Sequence, residues 1–107
     1  KNFVGQDLSG KDFSYSNLEN KIFFGSDLTN ANFEGSTLSG SDFSLANLEG
    51  ANFKNTTIDG IKLRQTILDQ TDFTNVDFKQ VDLESSLKNF KRWIILLPLF
   101  SATVNLV

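Results

Sequence analysis

The chain has 107 residues and a mass of 12.0 kDa, one domain's worth, and 39% apolar with 21% charged residues is a globular composition. It contains no Cys and no His, which excludes disulfides, Cys-ligated zinc, iron–sulfur clusters, thiol nucleophiles and imidazole-based triads or metal sites. A net charge of -3 with a pI near 4.7 argues against direct nucleic-acid binding.

From the first residues a five-residue period runs along the chain, and all seven Gly fall at multiples of five. Stepping by five from Phe3 gives Phe3, Leu8, Phe13, Leu18, Phe23, Leu28, Phe33, Leu38, Phe43, Leu48, Phe53, Ile58, Leu63, Leu68, Phe73, Phe78 and Leu83, with no polar residue among them. Five fits neither the 3.6 of a helix nor the 2 of a strand, so this set predicts the core ladder of a solenoid whose wall turns a corner at each pentad. Two residues before each centre stands a mostly small residue, such as Ser16, Ser26, Ala31 or Thr56, which can point inward beside a large neighbour only because it is small. One residue before the centre is largely Asp or Asn, the side chains that bond nearby backbone and favour turns. Two residues after it come Gly, Asn and Gln, where a corner needs positive φ or close backbone approach.

Stretches such as Ala31-Asn32-Phe33-Glu34-Gly35 and Ala46-Asn47-Leu48-Glu49-Gly50 match the A-(D/N)-(L/F)-X-X consensus, so the chain resembles the pentapeptide-repeat proteins. The resemblance implies an all-β solenoid, a right-handed quadrilateral β-helix with four pentads per coil. Residues twenty apart then stack: Phe13, Phe33, Phe53 and Phe73 form one column, and Leu8, Leu28, Leu48 and Leu68 another. The expected organisation is a β-helix of about four coils over residues 1–85, followed by a C-terminal helical cap and apolar tail over 86–107. Lys1, Gln6 and Lys11 stand where later coils have small residues, which predicts a solvated first coil.

The walls, numbered from the one containing Phe3, differ outside the core. Wall one has Val4, Ile22, Phe24 and Leu45 at columns that face water elsewhere, bordered by Lys21, Lys62 and Arg64. They form a candidate partner patch; the alternative is scattered surface apolars, or a wall covered by the chain's own tail. Wall two carries Asp7, Asp27, Glu49 and Asp69 without any Lys or Arg, an acidic wall that could meet a basic surface or serve only solubility. Catalytic and metal sites are expected to be absent: Asp72, Asp77 and Asp82 project from successive walls, and no calcium, phosphate-loop or nucleophile-elbow motif occurs.

After Leu83 the pentads stop. Ser85 or Ser86 can cap a helix whose stripe is Leu87, Phe90, Ile94 and Leu97, ending before Pro98, and alternation resumes from Phe100. Trp93 and its apolar neighbours exceed what one helix needs to plug a small square end, so the tail is expected to cap the solenoid or to join a homodimer. The fifteen residues from Trp93 to Val107 are too short, and broken by Pro98, to span a bilayer. No signal peptide is visible, and a soluble chain of open compartment is expected. The residues predict a non-catalytic scaffold for protein–protein interaction, with no cofactor and an unidentified partner. The resemblance implies an alternative: some members imitate duplex DNA with shape and negative charge, and occupy DNA gyrase. Attachment to a membrane surface through the tail is a third, weaker reading.

Overall fold

The computed structural model describes residues 2–83. The expected helix over 86–97 and the alternating stretch after Pro98 lie outside the described residues.

Each described pentad but the one centred on Phe78, whose Asp77 makes no bridge, does the same three things. The residue before the centre forms a parallel β-bridge to its equivalent twenty residues on, the centre points inward, and the next two residues turn the corner. The turn closes when the N–H of the following pentad's first residue donates to the central carbonyl, as Ser26 does to Phe23 at 3.1 Å and Ser41 to Leu38 at 3.0 Å. Its third residue has positive φ whether it is glycine, as Gly25 (69°), or a larger residue, as Asn30 (59°), Gln65 (54°) or Leu45 (62°). That is the backbone of a type II turn. The Asp or Asn before the centre supports it from outside: Asn32 accepts the Glu34 N–H at 3.0 Å and Asn52 the Lys54 N–H at 2.9 Å.

Four such sides make a coil of twenty residues. Coil one covers 2–20, coil two 21–40, coil three 41–60 and coil four 61–80, and a fifth opens with 81–83. Because a five-residue side spends two residues on the corner, the walls are ladders of isolated bridges and not long strands. Between coils the hydrogen bonding is dense. Coil two donates from Phe23, Gly25, Leu28, Asn30, Phe33, Gly35, Leu38 and Gly40 to coil three, and receives Asp42, Asn47, Asn52 and Thr57 in return.

The interior is filled in layers. Phe rings on walls one and three stack with those of the next coil, Phe3 on Phe23 at 4.8 Å and Phe23 on Phe43 at 4.6 Å between centroids, the spacing of strands in a sheet. Across the interior they meet edge to face, as Phe23 and Phe33 do at 5.7 Å and 89°. Leu and Ile line walls two and four up to Ile58 and Leu68, Phe78 closing wall four, and from Phe23 to Leu83 every centre is at most 1% exposed. In the first coil Phe3 and Phe13 are only half-buried, while Gln6 and Lys11 are exposed. The small inward column hides its hydroxyls by bonding: Ser26 and Ser36 donate to the carbonyls of Phe3 and Phe13, and Thr71 to Leu48 at 2.8 Å.

Candidate interaction surface

Wall one presents its apolar residues in adjoining coils of one wall. Val4 and Phe24 are register partners, since the Gly5 N–H donates to the Phe24 carbonyl at 2.9 Å, and Ile22 is bridged to Asn2 and to Asp42. Leu45 stands at the corner one coil further on, its N–H donating to the Arg64 carbonyl at 2.9 Å. Exposures of 39–49% across Val4, Ile22, Phe24 and Leu45 leave about half of each large side chain in water. Lys62 extends the same column as Ile22, between Asp42 and Asp82, and Arg64 the column of Phe24; both are exposed, and neither is in an ion pair with the described residues.

Leu45 is conformationally the most informative member. Nine residues other than glycine hold positive φ, and most are Asn or Gln. The short amide of Asn suits this region, whereas Leu45 at 62°, like Tyr15 and the three Gln, carries the clash of Cβ with the carbonyl, about 1–2 kcal/mol, and Leu45 does so with half of its side chain in water.

The acidic wall does not form a single column. Asp7 and Asp27 bridge one another before the centre, whereas Glu49 and Asp69 lie two places further along the pentad. Asp7 and Asp27 are also turned into their own corners, where Ser9 donates N–H and O–H to Asp7 at 3.2 and 2.8 Å and Thr29 does the same to Asp27 at 3.1 and 2.6 Å. Those bonds, first from the Ser9 hydroxyl and then from its N–H, hold Asp7 below the usual carboxylate range. Exposed Ile67 interrupts the wall between them and Asp69.

Two exposed apolar side chains belong to no predicted site. Ile67 is 42% and Tyr15 74% exposed, and Tyr15 lies across Gly35 of the next coil, where a Cβ would strike its ring. The signal was present in the pairing of Tyr15 with a glycine twenty residues on. Leu87, Phe90, Trp93, Ile94 and Leu97, the predicted cap or dimer residues, lie outside the described residues. Among the described residues no group of three acidic side chains could hold a metal, and no helix is long and apolar enough to cross a membrane.

The fold and its surface thus define a four-sided solenoid of five-residue repeats, with no catalytic constellation among the described residues. The family described as pentapeptide repeats (8 copies) matches residues 7–44, 26–65 and 59–86, and the chain belongs to that family. Membership implies the right-handed quadrilateral β-helix. A pentapeptide repeat protein from the thylakoid lumen of Arabidopsis thaliana is 34% identical over 74% of this chain and 69% of its own, with a TM-score of 0.38. A trypsin-treated form of QnrB1, a plasmid-mediated fluoroquinolone resistance protein, is 20% identical over 78% of this chain and 53% of its own, and its TM-score of 0.53 is a likeness of fold. The pentapeptide repeat protein Rfr23 from the cyanobacterium Cyanothece is 19% identical over 70% of this chain and 82% of its own, with a TM-score of 0.34. No curated protein matches the chain.

Proposed function

We propose that the chain is a non-catalytic scaffold that binds another protein through wall one, with residues 86–107 capping the solenoid and joining two copies. The observation that supports the reading is Leu45, an exposed apolar residue at positive φ on the same wall as Val4, Ile22 and Phe24. A corner built only for folding would hold Gly or Asn there, as most other corners do. The tail supports the second half of the reading by its charge: residues 1–84 carry thirteen acids against seven bases, and residues 85–107 carry three bases and no acid.

The decisive experiment separates fold from contact. Leu45→Gly and Ile22→Ser with Phe24→Ser keep or raise the urea midpoint of the full chain, and light scattering shows whether they alter its mass. A patch variant that loses folding stability would place these residues in the core economy of the coil and sink the reading of wall one. A full chain that stays monomeric at high micromolar concentration would sink the dimer.

A second reading, imitation of DNA on gyrase, draws on the stacked Asp7 and Asp27 and the neighbouring Glu49 and Asp69. It predicts that added protein alters DNA gyrase supercoiling. A scaffold of the first kind leaves supercoiling unchanged.

A further inference from the structure

Wall four carries a break in its ladder. Between coils two and three that wall is closed: the Leu38 N–H donates to Thr57 at 2.7 Å, Gly40 to Asp59 at 3.0 Å, and the Thr57 N–H returns to Ser36 at 3.1 Å. One coil further on, the equivalent bonds from Ile58, Gly60 and Asp77 are absent among the described residues, and Asp77 makes no bridge to Thr57. Walls two and three remain bonded at the same level, as Leu48 to Ile67 at 2.9 Å and Phe53 to Asp72 at 2.8 Å show.

Two departures in the sequence meet at this level. The column that runs Leu18, Leu38, Ile58 ends in the larger Phe78, whose ring packs edge to face on Phe73 at 5.0 Å. The inward corner that runs Ser16, Ser36, Thr56 ends in Val76, which is buried and cannot bond the backbone. Phe78 and Val76 thus put more apolar volume into this wall than Ile58 and Thr56 put into it one coil earlier.

The opening is a cavity of about 480 Å³ lined by Asn55, Asn75, Thr57, Ile58, Asp59 and Asp77, within the ordinary range of ligand sites, about 300–1,000 Å³. Its two rims are complementary in kind. Coil three offers the N–H groups of Ile58 and Gly60, and coil four the carbonyls of Asp77 and Lys79, without intercoil bonds among the described residues. Asp59 and Asp77 are exposed beside it and no cation lines it. The Lys79 N–H occupies one oxygen of Asp77 at 2.9 Å.

We propose that this opening is a docking site for an extended segment of a partner protein carrying an arginine or lysine. Its backbone would take up the unpaired donors and acceptors of the two rims, as a peptide does at an exposed sheet edge. Its basic side chain would meet Asp59 and Asp77. The site lies on a different wall from Leu45 and Phe24 and does not depend on the reading of wall one.

The test is amide NMR of the full, nitrogen-15-labelled chain titrated with the capped tripeptide acetyl-Thr-Arg-Thr-amide. The Ile58, Gly60 and Asp77 amides should shift, a control peptide, acetyl-Thr-Glu-Thr-amide, should not move them, and Asp59→Asn with Asp77→Asn should weaken binding at least tenfold. Phe78→Leu with Val76→Ser should close the ladder, slowing hydrogen exchange at Ile58 and Gly60 and abolishing the shifts. The proposal is overturned if those amides stay still at millimolar arginine peptide, if both peptides act alike, if calcium alone reproduces the shifts, or if binding survives in the closed variant. Ile22→Ser with Phe24→Ser should leave this titration unchanged, so a failure on wall one and a failure here are read separately.

Discussion

Coils two and three, residues 21–40 and 41–60, differ in build from coil four, residues 61–80, which meets coil three. The earlier coils alternate Phe and Leu around the interior and, after Lys21, turn with Ser, Ala or Thr, Ile58 being the one β-branched centre; all their mutual ladder bonds form. Coil four moves its second Phe from wall one to wall four, placing Leu63 where Phe43 stood and Phe78 above Ile58. It also turns two corners on the branched Ile61 and Val76. The total apolar volume is similar, yet one wall opens. In a solenoid each coil touches only its neighbours, so the position of volume within a layer matters as much as its amount.

The largest effect that sharpens this comparison is truncation in the tight region. Phe43→Ala removes a ring stacked on Phe23 and set edge to face against Phe33 and Phe53, and should cost about 3–5 kcal/mol in urea unfolding. Phe78→Leu with Val76→Ser shortens the interior at the open wall by a similar chemistry, and should cost far less because it lets a ladder close. Equal losses in the two variants would break the contrast between the coils.

A smaller effect separates two glycines of like backbone. Gly5 and Gly35 have φ of 65° and 71°, but nothing lies within 4 Å of a Cβ on Gly5 while the Tyr15 ring covers Gly35. Gly5→Ala should therefore cost only the left-handed backbone penalty, about 1–2 kcal/mol. Gly35→Ala should cost more by whatever displaces the ring, and Tyr15→Ala should remove the excess. Urea midpoints of the three variants decide it; identical losses for Gly5→Ala and Gly35→Ala would show that the ring swings away freely.

The repeat itself was legible because every pentad restates it: the apolar centre, small inward residue, Asp or Asn support and corner glycine are four columns that agree. Gly35 and Tyr15 show where that legibility ends, since their relation needs the twenty-residue register and the direction of a side chain. Val4, Ile22, Phe24 and Leu45 could be named from column violations, because an apolar residue in a water-facing column is visible letter by letter. The break on wall four could not. Phe78 obeys the centre column, and Val76 is an acceptable inward residue; only their coincidence above Ile58 and Thr56 sets this level apart. The split of the four acids of wall two between two columns, by contrast, can be read from their places in the pentad.

The smallest expected effect compares the supports of the first coil with those of the third. Asp7 and Asp12 accept bonds from Ser9 and Ser14, and Asn47 and Asn52 accept the equivalent N–H groups of Glu49 and Lys54 at 3.0 and 2.9 Å. The backbone bond is the same, but only the aspartates add a bond from a serine hydroxyl and carry a proton equilibrium. Bonding from the serine hydroxyl first, and then its N–H, holds both carboxyls below the ordinary value of 3.8. A folded-state pKa depressed in this way contributes stability that is present above the ordinary value and is lost as pH falls below it through the folded value. Asp7→Asn with Asp12→Asn should therefore leave the urea midpoint at pH 7 nearly unchanged and flatten its decline below about pH 4. Because both groups are exposed to solvent, the difference should be slight. A decline below pH 4 that is the same in the double variant would mean that the aspartates support their turns no better charged than neutral, and that the acid sensitivity of the coil lies in other carboxylates.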